Sequence, residues 1–265
     1  MIRKYLSIGL VLRYQLGFVY VILFLGILCI FAVDKDFDAS IPKDAVIIDT
    51  ALGRVIGRRE GEVNSFLGIP FAEPPTGRYR FRPSRPKRPW YPTIHRAFNF
   101  SSECLQSSLY AGEYGVRDED CLYLNIWQPA KMKSSASLPI LFWIYGGAFL
   151  HGGTSSPEYV GNRLAARGVI VVSCNYRVGA LGFLVSIADG LFGNYGLHDQ
   201  KLALQWVHDN IHSFGGDPDR ITLFGESAGA MSTSLHLLDQ FGGMYKSNKK
   251  LFQNVIMQSN PLGYK

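Results

Sequence analysis

Phe214-Gly215-Gly216-Asp217-Pro218-Asp219-Arg220-Ile221-Thr222-Leu223-Phe224-Gly225-Glu226-Ser227-Ala228-Gly229 is the stretch that decides the fold. A short apolar run, Ile221 to Phe224, enters Gly-x-Ser-x-Gly, and a helix-like run, Ser227 to Leu238, leaves it. Strand, Gly-x-Ser-x-Gly and helix in that order are the context of a nucleophile elbow. The serine then stands on a sharp turn over the end of a sheet, and only small flanking residues, here Gly225 and Gly229, let the backbone turn so tightly. Ser227 is the candidate nucleophile. The turn aims the backbone N–H of Ala228 where an oxyanion would form, and the helix N-terminus adds favourable dipole charge.

Working outward, apolar runs of strand length lie at Cys121–Trp127, Ile140–Tyr145, Val169–Cys174 and Asn254–Gln258. Helical patterns separate them at Pro157–Arg167, His198–His212 and after Ser227. The second carries Leu202, Leu204, Trp206, Val207 and Ile211 and is stopped by Gly215-Gly216. Strands alternating with helices predict an α/β fold with a mostly parallel, doubly wound sheet. Ala45–Thr50, Arg54–Arg59 and Glu62–Leu67, separated by turn-like A-L-G and E-G, predict a small antiparallel sheet at the N-terminal edge. Residues 67–89 are rich in proline and arginine and read as loop. There are no internal repeats.

The chain has 265 residues, 47% hydrophobic and 18% charged, with a net charge of +6. Much of that charge lies in Arg78, Arg80, Arg82, Arg85, Lys87, Arg88 and Arg96, a run broken by Pro83, Pro86 and Pro89. The prolines prevent a recognition helix and no nucleic-acid motif accompanies them, so the run predicts a solvated loop with one or two arginines in buried ion pairs, and no nucleic-acid partner. Arg3, Lys4 and Arg13 precede an apolar segment, Gly17 to Val33, which Asp34, Asp36 and Asp38 follow. Residues 1–33 are therefore a targeting element, either an uncleaved signal anchor in the membrane or a cleavable signal peptide. Either way the domain at 34–265 enters the secretory lumen or the outside. Of four cysteines, Cys29 falls in the apolar segment and Cys174 in a buried-strand pattern. Cys104 and Cys121 remain as a natural pair, whose closed loop would stabilise by about 3 kcal/mol in the chain-entropy model. Asn99-Phe100-Ser101 is the only glycosylation sequon.

Ester hydrolysis passes through a tetrahedral oxyanion that needs two or three preorganised N–H donors, and losing one costs about 10²–10³ in rate. Gly146-Gly147-Ala148, directly after the strand Ile140–Tyr145, is a small-residue loop of the kind that supplies them. His151-Gly152-Gly153 looks like the H-G-G-G motif of lipases but begins several residues past the strand end. The alternative for Gly146–Gly153 is a flexible surface loop.

Two stretches carry a closer resemblance: Glu119-Asp120-Cys121-Leu122-Tyr123-Leu124-Asn125-Ile126-Trp127, and Phe214 to Gly229. With weaker matches at Gly68–Pro75, Trp143–Gly147, Asn175–Gly179 and Gln205–Ile211, the chain resembles the N-terminal half of a type-B carboxylesterase, the cholinesterase-like branch of the α/β-hydrolases. The resemblance implies Ser227 as acyl-enzyme nucleophile and Gly147, Ala148 and Ala228 as oxyanion donors. It also implies a Cys104–Cys121 disulfide, a structural ion pair between Arg80 and Glu119, and no cofactor or metal. Glu226 either tunes the field beside the serine or is a carboxylate favoured by the helix dipole.

In that family the acid and the histidine follow the serine. Downstream here lie only His236 and Asp239. His236, nine residues on, would be about 13 Å along the same helix and on its opposite face. His95, His151, His198, His208 and His212 fall in segments that are structural in the family. The resemblance therefore implies an incomplete triad, a sheet left open at Asn254–Gln258 and little turnover from this chain alone. Between Cys104 and Cys121 there are Tyr110 and Tyr114 but no tryptophan, which favours a general carboxylesterase over a choline esterase. The alternatives are a non-catalytic adhesion protein resembling the neuroligins, and a fragment with no function of its own.

Overall fold

The computed structural model describes residues 41–107, 115–132, 137–242 and 249–260. The expected targeting segment, Tyr110 and Tyr114 lie outside them. Asp44–Lys265 is one unit, separate from Met1–Lys43.

Eight strands in line, with Ile94–Arg96 paired beside β2, form a nine-stranded sheet. They are β1 (Ala45–Thr50), β2 (Gly53–Glu60), β3 (Val63–Pro70), β4 (Tyr123–Pro129), β5 (Leu138–Ile144), β6 (Ile170–Cys174), β7 (Gly216–Glu226) and β8 (Asn254–Gln258). The spatial order is β1-β2-β3-β4-β6-β5-β7-β8. From β1 to β6 every neighbour is antiparallel, while β6, β5, β7 and β8 run parallel. The N-terminal antiparallel strands are thus continuous with the parallel block through β4, which pairs antiparallel with both β3 and β6.

The burial of each strand follows its place. β6 is buried at every residue, as expected of a strand covered on both faces. β8 alternates exposed and half-buried: Val255 packs on the core, Ile256 on the other face is 42% exposed, and among the described residues nothing pairs with the strand's outer edge. Two long helices cross between the parallel strands: α1 (Tyr195–Asn210) and α2 (Ala228–Gly242). A short 3-10 turn, Ile211–Phe214, follows α1 and ends at Gly215, whose φ of 74° no bulky residue adopts readily. The helix expected over Pro157–Arg167 breaks into a 3-10 turn at Pro157–Tyr159 and a four-residue helix at Asn162–Ala165. Gly161, at the break, lies so close to the Trp127 ring that a Cβ would approach it to 2.6 Å. Among the described residues no helix is long and apolar enough to cross a membrane.

The order β6-β5-β7 places the site. β5 leads to β6 on one side, and the chain then returns through α1 to β7 on the other. Ligands of open α/β sheets bind outside the carboxyl ends of the strands at such a switch point. There Ile144, ending β5, is in register with Gly225, just before Ser227.

Candidate active site

Ser227 has φ 52°, in the left-handed region that a non-glycine residue rarely occupies. The turn is held on both sides: Ser227 N–H donates to Gln258 O of β8 at 2.9 Å, and Ser227 O accepts from Met231 N–H at 2.9 Å. The residue is half-buried and its hydroxyl is hydrogen-bonded to no described side chain. The flanking glycines are required by contact. A Cβ on Gly225 would meet the Gly229 carbonyl carbon at 2.3 Å, and one on Gly229 would meet Ile144 O at 2.1 Å.

The end of β5 faces this turn. A Cβ on Gly146 would come within 3.1 Å of Ser227 Cβ and 2.9 Å of Glu226 Oε2, so the loop starts directly against the serine and its neighbouring carboxylate. Three consecutive residues then have positive φ: Gly147 (102°), Ala148 (54°) and Phe149 (60°). Two of them are not glycine, and strain of this kind costs roughly 1–3 kcal/mol per residue, so it persists only where the surroundings impose it. Gly147 O accepts from Leu150 N–H (2.9 Å) and His151 N–H (3.2 Å), and Phe149 O accepts from Gly179 N–H (2.6 Å). Among the described residues no carbonyl accepts from the N–H of Gly147 or Ala148. Ala228, the first residue of α2, has no carbonyl one turn back within its helix. These N–H groups lie in a loop that starts directly against the half-buried serine. His151-Gly152-Gly153 lies beyond this turn, where the His151 N–H is taken up by Gly147 O.

Behind the loop, Tyr145 and Tyr176 stack at 4.4 Å and exchange hydrogen bonds: each hydroxyl donates to the other's carbonyl, at 3.0 and 2.9 Å. Burial drives both phenols well above their ordinary range. The pair fixes the chain at the last residue before Gly146. The Tyr159 ring lies 5.3 Å from that of Trp143, and its phenol is raised, first by burial and then by the Glu226 and Glu158 charges.

Cys104 and Cys121 are joined, with an S–S distance of 2.07 Å, and Cys174 is a free, buried thiol. Arg80 forks onto Glu119 at 2.7 and 2.6 Å, and Arg88 reaches Glu73 at 3.2 Å. Neither pair is buried, contrary to the expectation for this loop. The Arg80 side chain is 44% and that of Arg88 85% exposed, because proline-broken backbone carries both along the surface. The buried pair is elsewhere: Arg177, 4% exposed, forks onto Asp199 at 2.7 Å to both oxygens. Asn99 is exposed. His236 is buried beside Gln200, its ring nitrogen 2.9 Å from Gln200 Oε1, and burial lowers its pKa to about 4. It is committed to the α1–α2 interface. No cluster of metal-ligating side chains occurs among the described residues.

Sequence reading missed the brackets that hold the loop. Gln106 bonds both polar groups of Gly152 at 2.8 Å, Gly179 ties down Phe149, and Tyr176 supports Tyr145. These pairs are separated by tens of residues, and no local pattern announces them.

A mixed sheet with a parallel half, a strained serine between strand and helix, and a small-residue loop at the neighbouring strand end together define an α/β-hydrolase fold. The comparisons agree. A carboxylesterase family profile matches residues 44–263. The chain is 44% identical to an acetylcholinesterase of Danio rerio over 231 residues, 81% of this chain and 35% of that protein. It is 45% identical to a fumonisin B1 esterase of Sphingopyxis macrogoltabida over 208 residues, 76% of this chain and 37% of that one. A solved PNB esterase superposes with a TM-score of 0.71 at 43% identity, covering 80% of this chain and 44% of the other. The chain belongs to the carboxylesterase family. It spans little more than a third of the length of the curated relatives it matches.

Proposed function

We propose that this chain carries the nucleophile and the oxyanion hole of a serine carboxylic ester hydrolase. The observation that carries the reading is the left-handed Ser227 turn closed against Gly146, beside N–H groups to which no described carbonyl is bonded. Ser227 Oγ attacks the ester carbonyl and forms an acyl-enzyme, which water then cleaves, in a ping-pong route that uses no cofactor. The N–H groups of Gly147, Ala148 and Ala228 receive the oxyanion, and Glu226 tunes the field at the serine. The Cys104–Cys121 link and the Arg80–Glu119 pair hold the disulfide loop. The lack of a tryptophan in that loop favours a general carboxylic ester over a choline ester. An intact serine and an open N–H loop speak against a purely adhesive role. The basic N-terminal flank, its apolar run, the disulfide and the exposed Asn99 support a glycosylated domain on the lumenal or outer side, anchored or secreted.

Among the described residues no histidine or carboxylate is hydrogen-bonded to Ser227 Oγ, and no general base is assigned among them. A serine without its base keeps on the order of 10³–10⁴ over water in a related triad. The test is prolonged exposure of the chain to a fluorophosphonate, with the adduct located by mass spectrometry, alongside nitrophenyl acetate turnover. We expect a slow adduct at Ser227, absent in Ser227→Ala, and little turnover. An adduct elsewhere or none would refute Ser227 as nucleophile. Fast turnover lost in Ser227→Ala would refute the missing base.

A further inference from the structure

The loop after β5 is held at its far end by a side chain from the disulfide loop. Gln106 Nε2 donates to Gly152 O at 2.8 Å, and Gln106 Oε1 accepts from Gly152 N–H at 2.8 Å. The same Nε2 also donates to Cys104 O at 3.0 Å. A carboxamide that pairs with both polar groups of one residue fixes its plane as well as its position. The neighbouring contacts converge on the same segment. A Cβ on Gly153 would meet the Glu103 carboxyl carbon at 2.6 Å, and Ser155 Oγ donates to Glu103 Oε1 at 2.5 Å. Asn175 accepts from Thr154 N–H at 3.0 Å and donates to Ser102 O at 3.0 Å.

The front of that loop is the part with the chemistry. Gly147 O is tied by the N–H groups of Leu150 and His151, and His151 directly precedes Gly152. A trans peptide carries its C=O and N–H on opposite sides, so fixing Gly147 O also fixes the direction of the Ala148 N–H. The turn that does this is strained at Ala148 and Phe149 and will not keep its shape unless both ends are pinned. Gly179 pins it at Phe149 and Gln106 at Gly152.

We propose that Gln106 is a positioning residue for the oxyanion hole: by clamping Gly152 it holds the 147–151 turn, and through that turn the direction of the Ala148 N–H. The disulfide at Cys104 anchors the clamp, two residues from its glutamine. The chemical consequence rests on the reading of Ser227 as nucleophile; the clamp itself does not.

The test is amide hydrogen exchange of the full chain, read on peptides covering 146–153 and, as a folding control, on α1. In Gln106→Ala, exchange at 147–152 should rise about tenfold or more with α1 unchanged. Gln106→Glu keeps the size but turns an oxygen toward Gly152 O, so it should loosen the same peptides. Reducing the disulfide should raise exchange there in the parent chain and add little in Gln106→Ala, since both act on one clamp. Unchanged exchange at 147–152 in both variants overturns the clamp, whatever Ser227 does. Loosened exchange in a chain that forms no fluorophosphonate adduct at Ser227 keeps the clamp and removes the nucleophile reading.

Discussion

Replacing Gly229 by alanine sets two physical effects of opposite sign against each other. Gly229 is the second residue of α2, where helix propensity alone favours alanine by about 1 kcal/mol. The added Cβ would stand 2.1 Å from Ile144 O, 2.8 Å from Ile144 C and 2.9 Å from Tyr145 O. These are backbone atoms at the end of β5 and cannot rotate away. Unstrained contact begins near about 3.5 Å, so α2 must withdraw by more than about 1 Å. Overpacking of this kind typically costs about 1–3 kcal/mol or more, and a clash with backbone belongs at the upper end. The expected net loss is about 2 kcal/mol after the propensity gain, or roughly 4–8 °C in melting temperature for a domain of this size. The withdrawal also opens the approach of Gly146 to Ser227, and a misplacement of about 1 Å can cost about 10²-fold in rate. Urea and thermal unfolding of Gly229→Ala measure the loss. Gly168→Ala, where a Cβ meets nothing within 4 Å but φ is 93°, gauges the cost of left-handed strain alone. A Gly229→Ala protein as stable as the parent, or more stable, would refute the view that close packing against β5 dictates this glycine.

Two further outcomes follow from buried groups. Asp199 is fully buried and accepts from Arg177 Nε, Nη2 and backbone N–H, while Arg177 Nη1 is buried with no hydrogen-bond partner among the described residues. Asp199→Ala leaves that guanidinium uncompensated and should cost about 3–5 kcal/mol in urea unfolding, most of it recovered in Arg177→Met/Asp199→Leu; equal losses in single and double variants would count against this. His236 has a folded pKa of about 4 against an ordinary value of 6.5, because burial opposes its charge. The unfolded chain therefore binds more protons between these values. Stability should be fully present above about pH 6.5 and fall by about 3 kcal/mol as pH drops to 4. His95 and His198, also lowered by burial, act in the same direction. An unfolding free energy that is flat from pH 7 to 4, or no flatter in His236→Gln than in the parent, would contradict it.

The sequence by itself determined the class of fold and the strand–turn–helix around Ser227, because both depend on local rules. A serine between two glycines, after an apolar run and before a helical one, forces a strand–turn–helix whatever surrounds it. Buried strands announce themselves as apolar runs, as β6 does, and the range of the half-exposed β8 was legible in full. Where tertiary contacts compete with local preference, the reading was less sharp. The helix expected over Pro157–Arg167 broke where Gly161 fits against Trp127, and the arginine run formed its pairs at the surface while Arg177, outside it, holds the buried one. Only the folded chain decided that no described carbonyl accepts from the N–H groups of Gly147 and Ala148 and that Gln106 grips Gly152. It also decided that His236 is spent on Gln200. Those facts depend on which distant backbone groups find partners, and a hydrogen bond between residues 46 positions apart leaves no period or spacing in the chain that makes it.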